Sequence, residues 1–471
     1  MKRRAIKRLV QWLLLAALAF LLYLLLGATL PNLHHKDVTP EFAERFDAGS
    51  VYGDAAGTAR AAYVGDNVTA LEYRLAMIES AQDEVVLAAY EFSADEPGTE
   101  VLSALQAAAE RGVRVRVLVD GVSAQLSLKG DPCFQALAGT ENVQIRIYNP
   151  VNLLLPWKLQ YRMHDKYLIV DDRMYLLGGR NTNRYFLGAS EDQKKDSEVF
   201  VYESDARADG SLQALRAYFE EVWALDDCRD YRCAKPRAAE EGRAALDAHY
   251  AALREKYPDA YRDGMLLENT VETRKVTLLR GSAAAENKRP EVWHALMQVL
   301  ATGQDVTIHT PYIILSDAME QDLTALCASA QQVSLITNAV SGGANIFGCA
   351  DYLNEKDAIL ATGAIVYEYL GGASLHTKNI LVDDRLCIIG SFNFDMRSAY
   401  LDTELMVCVD SPELQTALRA DTEQELLCSV RAQAGTEDVP GEHYEPRALT
   451  AGKKVLYGIL RILIRPFRCL L

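Results

Sequence analysis

One short phrase occurs twice in this chain. His164-Asp165-Lys166 is followed after four residues by Asp171, and His376-Thr377-Lys378 after four residues by Asp383. A glycine turn and an asparagine come next at matched distance, Gly178-Gly179-Arg180-Asn181 in the first copy and Gly390-Ser391-Phe392-Asn393 in the second. Each copy closes on an acidic tripeptide, Asp196-Ser197-Glu198 and Asp402-Thr403-Glu404. A single HxK occurs by chance in many chains. Two copies with matched downstream phrases describe two related halves that share one site.

The predicted elements repeat with the motif. A helix is expected over about 69–81, a buried strand over 84–92, a helix over about 98–111 and an alternating strand over 113–120. The same order returns at 291–302, 305–314, 318–330 and 333–338, offset by roughly 210–220 residues. Strand, helix, strand in that rhythm predicts an α/β fold with a mostly parallel sheet flanked by helices. The expected divisions are a basic tail and anchor over 1–30, a linker over 31–65 and a first half over 66–233. A helical connector on the surface over 234–290, a second half over 291–430 and a tail over 431–471 complete the chain.

The two ends differ from the body. Residues 9–26 form an apolar run broken only by Gln11, about 18 residues and close to the length that crosses a hydrocarbon core. Lys2, Arg3, Arg4, Lys7 and Arg8 precede it, which predicts a single-pass anchor with a cytoplasmic N-terminus and the catalytic body on the outer side. His34 and His35 fall in the linker and read as solvated residues. Residues 453–471 mix Leu and Ile with spaced Lys and Arg, the pattern of an interfacial helix whose cations meet anionic lipid. The net charge is −16, and it falls to about −26 once the five cations of each end are set aside. So acidic a body repels phosphate polymers, which argues against nucleic acid as a partner.

The nine cysteines are scattered and describe neither a disulfide framework nor a zinc site. Cys228 and Cys233 are the one close pair, either a local disulfide or two separate thiols. Cys387 and Cys408 alternate into apolar runs as core residues. No metal or other cofactor is expected.

Alternation along a strand puts the His and Lys of each motif on one face. An imidazole beside an ammonium can attack an anion and neutralise its oxygens. Asn181 and Asn393 can add neutral donors, and the glycine turns let backbone approach closely. Glu198 and Glu404 are candidates to accept the second ring N–H of a histidine and so set its tautomer. With one imidazole on each side of a phosphorus atom, one attacks and the other protonates the leaving alcohol and then activates the incoming one.

These paired HxKx4D motifs with their G-G/S-x-N turns resemble the phospholipase D superfamily over most of 66–410. Within it, Arg162-Met163-His164, Thr337-Asn338 and Gly390-Ser391-Phe392-Asn393-Phe394-Asp395 with Arg397-Ser398 are similar to bacterial cardiolipin synthases, particularly the C-type branch. The resemblance implies two repeated phospholipase D-like α/β/α sandwich halves related by a pseudo-twofold axis, behind one transmembrane helix. It also implies a phosphatidyltransferase acting on phosphatidylglycerol or a related phospholipid at the membrane, with His164 as nucleophile and His376 as acid and base. Lys166 and Lys378 neutralise charge, while Asp171 and Asp383, part of each motif, hold neighbouring groups. Arg180 and Arg397 either touch substrate phosphate or pair with carboxylates. A hydrolytic phospholipase D is the alternative, and a nuclease the more distant one. One departure stands out: many cardiolipin synthases begin with two membrane helices, and this chain has one.

Overall fold

The computed structural model of the chain describes residues 2–203 and 210–471; the side chains of Lys2 and Arg3, two of the five cations before the apolar run, lie outside the described residues. Helix Lys2–Thr29 has its apolar residues exposed from Ile6 to Tyr23 and is long and apolar enough to cross a membrane. At about 1.5 Å per residue it extends for roughly 42 Å. Its last turns rest on the loop before Tyr161, where the Tyr23 hydroxyl donates to the Leu154 carbonyl at 2.8 Å.

Two nine-stranded sheets form the body. Across the first, the order is Val271–Glu272, Ala59–Val64, Glu198–Glu203, Met174–Gly178, Tyr167–Val170, Glu84–Ala89, Arg114–Asp120, Val143–Tyr148 and Cys228–Tyr231. Across the second it is Lys275–Arg280, Leu405–Asp410, Leu386–Gly390, Asn379–Val382, Asp305–His309, Gln332–Asn338, Ile365–Tyr369, Ser429–Arg431 and Val439–Pro440. Strands correspond one to one from Ala59–Val64 and Lys275–Arg280 onward, so the repeat is architectural.

The sheets are mixed, which corrects the mostly parallel expectation. Glu84–Ala89, Arg114–Asp120 and Val143–Tyr148 run parallel, as do Asp305–His309, Gln332–Asn338 and Ile365–Tyr369. The motif strand of each half enters antiparallel and turns back through a hairpin, Tyr167–Val170 to Met174–Gly178 and Asn379–Val382 to Leu386–Gly390. The helix crossovers that make parallel pairs join only the first three strands of each half; short turns make antiparallel ones.

Helices start where side chains cap them. Asp66 accepts from the Val68 and Thr69 N–H groups, Asp95 from Gly98 and Ser316 from Met319. Alternation along Glu84–Ala89 sends Val85, Leu87 and Ala89 to the helices Asn67–Ser80 and Glu96–Glu110, and Val86 and Ala88 to the opposite face. That opposite face joins the core of the second half without interruption, so the two halves share one apolar interior.

Two stretches are more integrated than their composition indicated. Residues 31–65, read as a linker, contain Ala59–Val64, an interior strand of the first sheet, and His35 stacks on Tyr400 with centroids 3.9 Å apart. The connector's helix Pro236–Lys256 buries Leu246 and Leu253, and its distal strands enter both sheets. Cys228 and Cys233 are unbonded, and Cys387 and Cys408 lie in the core.

Candidate active site

Each motif histidine is pinned by contacts that cross between halves. Thr403 N–H donates to the Arg162 carbonyl at 2.9 Å, and the His164 N–H reaches the Thr403 hydroxyl at 3.2 Å. Reciprocally, Lys194–Lys195 pairs in parallel with Ser374–Leu375, and the His376 N–H donates to the Lys195 carbonyl at 2.7 Å. Each bridge sets a carboxylate of one half beside the imidazole of the other. Glu404 Oε1 lies 2.9 Å from His164 Nδ1, and Asp196 Oδ2 lies 2.6 Å from His376 Nδ1.

The orienting carboxylate contributed by the first half is therefore Asp196, which corrects the sequence-based choice of Glu198. Strand register gives the reason. Gly178 pairs with Glu198 and Gly390 with Met406, so Glu198 corresponds to Met406, and Asp196 to Glu404. The two acidic tripeptides look alike but stand two residues out of register. Glu198 instead receives two hydrogen bonds from Arg74, at 2.7 and 2.5 Å, with both side chains buried.

The lysines flank the same imidazoles. Lys166 Nζ donates to the His164 carbonyl and lies 5.0 Å from the Tyr90 ring centre. Lys378 Nζ donates to the His376 carbonyl and lies 2.7 Å from its Nδ1 and 3.2 Å from its Nε2. Burial, partly offset by nearby carboxylates, lowers the Lys166 ammonium to about 8 and the Lys378 ammonium to about 7. Burial and the adjacent ammonium take His376 down to about 3 and His164 well below its usual range, so both rings are neutral at pH 7. Burial also raises Glu404, to about 8, although it accepts from the Ser391 and Ser398 hydroxyls. Asp196 goes the other way: burial pushes it up, and Lys378, His376 and Arg180 together hold it below its ordinary value.

Asp171 and Asp383 stand away from the imidazoles, at the tips of the two hairpins, each with φ near +50°. Asp171 accepts from the Gln82, Asp83 and Glu84 N–H groups and from Arg173; Asp383 accepts from the Gln304 and Asp305 N–H groups. Each thereby fixes the start of the first parallel strand to the motif hairpin. Sequence left Arg180 and Arg397 open between phosphate and carboxylate. Arg180 is fully buried and donates to the Asn67 side chain and to the carbonyls of Val64, Gly65 and Asp196. Arg397 pairs with Asp402 and lines the cavity.

That cavity measures about 410 Å³ and is walled by both histidines, Asn181 and Asn393. Asn181 Nδ2 donates to Glu91 at 3.0 Å, and Asn393 Nδ2 to the Tyr312 hydroxyl at 3.2 Å. Asn393 Oδ1 is buried without a partner among the described residues. Tyr90 meets His164 edge-on and Phe186 meets His376 edge-on, each with centroids 4.8 Å apart. Sequence reasoning missed Tyr90, Glu91, Phe186 and Tyr312; Tyr90, Glu91 and Tyr312 fall in the stretches 84–92 and 305–314 read as strands, which end at Ala89 and His309, and Phe186 lies in a loop after the glycine turn. Among the described residues, no group of three or more His, Cys, Asp or Glu side chains could hold a metal ion.

The sequence profile of the family described as "Cardiolipin synthase, PLD-like domain" matches residues 75–223 and 296–426, the two halves just described. The chain belongs to this family of the phospholipase D superfamily. It is an enzyme of the phospholipase D type. Cardiolipin synthase C of Escherichia coli (strain K12) is 26% identical over 385 residues, covering 73% of this chain and 80% of that protein. Cardiolipin synthase 1 of Bacillus anthracis is 25% identical over 396 residues, 83% of this chain and 69% of that protein. The crystal structure of phosphatidylserine synthase from Haemophilus influenzae Rd KW20 shares the fold, with a TM-score of 0.62 at 16% identity over 92% of this phospholipase D-type chain and 99% of that one.

Proposed function

We propose that this phospholipase D-type enzyme is a membrane-anchored phosphatidyltransferase that acts on phosphatidylglycerol or a related phospholipid through a phosphohistidine. The crossed pairs, His164 with Glu404 and His376 with Asp196, carry this reading. Each Nδ1 faces a carboxyl group of the other half, which leaves each Nε2 as the reactive nitrogen in one shared cavity.

In the first step the Nε2 lone pair of His164 attacks phosphorus. The bond from phosphorus to the leaving glycerol oxygen breaks, and that oxygen takes the proton from Nε2 of protonated His376. His376, neutral in the empty site, takes up this proton from solvent as the phosphate anion arrives beside it, because an adjacent negative charge favours the imidazolium. In the second step His376, now neutral, takes the proton of an incoming lipid hydroxyl. That oxygen attacks phosphorus and expels His164. Lys166 and Lys378 balance the charge on the equatorial oxygens, and the amides of Asn181 and Asn393 complete the donor set.

The apolar helix Lys2–Thr29 supports anchoring, and the cations ahead of it support an outward-facing body. The names of the relatives favour a lipid hydroxyl over water as acceptor. Purified enzyme mixed with phosphatidylglycerol vesicles is expected to release glycerol and cardiolipin in equal amounts. Phosphatidic acid as the sole lipid product would instead make the protein a hydrolase.

A further inference from the structure

The C-terminal segment builds a second cavity against the first. Helix Ala451–Leu463 and the turn Arg465–Leu470 dock on helix Ile346–Ala361: Tyr457 and Ile464 are buried beside Cys349 and Ala350, and Arg468 pairs with Asp351 at 2.7 Å. The chain end is tied down as well. The Arg397 backbone N–H donates to the Leu471 carbonyl at 2.9 Å, and its guanidinium to the Leu470 carbonyl at 3.0 Å. Between this segment and the body lies a groove of about 620 Å³, within the range of small-molecule sites.

Its lining changes character along its length. Tyr312, Asn345, Asp395 and Arg397 line both the groove and the catalytic cavity, so the two spaces share a polar wall. Apart from Gln160, the rest of the groove is lined by apolar side chains, with Ile314, Leu460 and Phe467 among its walls and half-exposed Phe347 and Leu463 at its rim. Leu463 continues into the outer face of the helix, where Ile459 and Ile462 are 52% and 71% exposed. Such an exposed apolar row, on a helix carrying cations, is the surface that enters a lipid interface.

We propose that this groove binds an acyl chain of the phospholipid whose phosphate sits between His164 and His376, and that the C-terminal segment is a substrate-binding wall. This deepens the phosphatidyltransferase reading and rests on it. Three observations commit the occupant: the polar end of the groove coincides with the catalytic cavity, its far end is apolar, and its rim meets the face suited to a bilayer. A lipid lying with its phosphate at the histidines has that same sequence of chemistry, charged head first and hydrocarbon after.

Leu463→Trp narrows the groove at its exposed rim, where the larger ring is tolerated. Dioleoyl and dihexanoyl phosphatidylglycerol are supplied in the same detergent micelles, so that membrane attachment does not enter. The ratio of kcat/KM for the long chain over the short is expected to fall about tenfold, the effect of losing roughly two buried methylene groups. A ratio unchanged from wild type, whether or not both rates drop together, overturns the proposal. A second readout is independent of turnover: phosphatidylglycerol bearing a diazirine on one acyl chain should label residues 460–471 in the wild-type full chain and less in Leu463→Trp. Labelling confined to other segments also overturns the groove. Labelling at 460–471 without any transfer product leaves the groove standing and refutes the phosphatidyltransferase reading.

Discussion

Replacing Asp196 by Asn is the perturbation that separates the crossed-pair geometry from the pairing its sequence suggests. Asp196 is fully buried, its Oδ2 is 2.6 Å from His376 Nδ1, and Lys378 and Arg180 keep it ionised. The amide keeps the shape and removes the charge, turning a charge-assisted hydrogen bond into a neutral one. That difference is about 1.5 kcal/mol, and an amide N–H turned toward Nδ1 would also invert the tautomer. Losing an orienting partner of this kind costs about 10–100-fold in activity, so kcat should fall by that factor. The pH profile adds a signature that a structural role would not produce. Asp196 supports the ammonium of Lys378, which stands at about 7, so in Asp196→Asn the alkaline limb should move to lower pH. Glu198→Gln is the contrast. It breaks the buried pair with Arg74, at about 3–5 kcal/mol, and should lower Tm by roughly 1 °C per kcal/mol while the folded enzyme keeps its pH profile. Phosphatidyl transfer assayed by lipid mass spectrometry, beside thermal melts of both variants, decides the matter. An Asp196→Asn enzyme within twofold of wild type with an unmoved alkaline limb would refute the pairing.

Three further outcomes are expected. Lys378 and Lys166 lose their protons near 7 and 8, so they bind anions below those values and release them above; the Kd for tungstate, measured calorimetrically, should rise as pH goes from 6 to 9, and a flat Kd would contradict these assignments. Asp171→Ala removes the acceptor for three backbone N–H groups at a residue with φ of +50°, and should cost about 3 kcal/mol of stability while the folded fraction stays active. Ile462→Trp, on the exposed row of the C-terminal helix, should be quenched by brominated acyl chains in proteoliposomes; unquenched fluorescence would place that face in water.

Much of this arrangement was legible because it is local or periodic. The helices Asn67–Ser80 and Glu96–Glu110 and the strands Glu84–Ala89 and Arg114–Asp120 lie within a few residues of the periodic segments, since capping side chains and alternation mark their ends. His164, Lys166, His376 and Lys378 surface through the repeat itself. What eluded the sequence depends on distant pairing. Antiparallel insertion of each motif strand comes from a tight hairpin closed by an aspartate with positive φ, which hydrophobic pattern does not register. The partners of the two histidines are 240 and 180 residues away, and only strand register distinguishes Asp196 from Glu198. The strand at Ala59–Val64 hides in polar surroundings because its neighbours in the sheet, not its own composition, make it a strand.

The central claim is a phosphatidyl group carried on a histidine. Enzyme mixed with phosphatidylglycerol, quenched within a single turnover and digested for peptide mass spectrometry, tests it directly. His376→Ala, which lacks the acid of the first step and the base of the second, serves alongside wild type. A phosphatidyl adduct on His164 is the predicted result. Turnover of phosphatidylglycerol at the wild-type rate with no adduct on either histidine at any quench time would contradict the account.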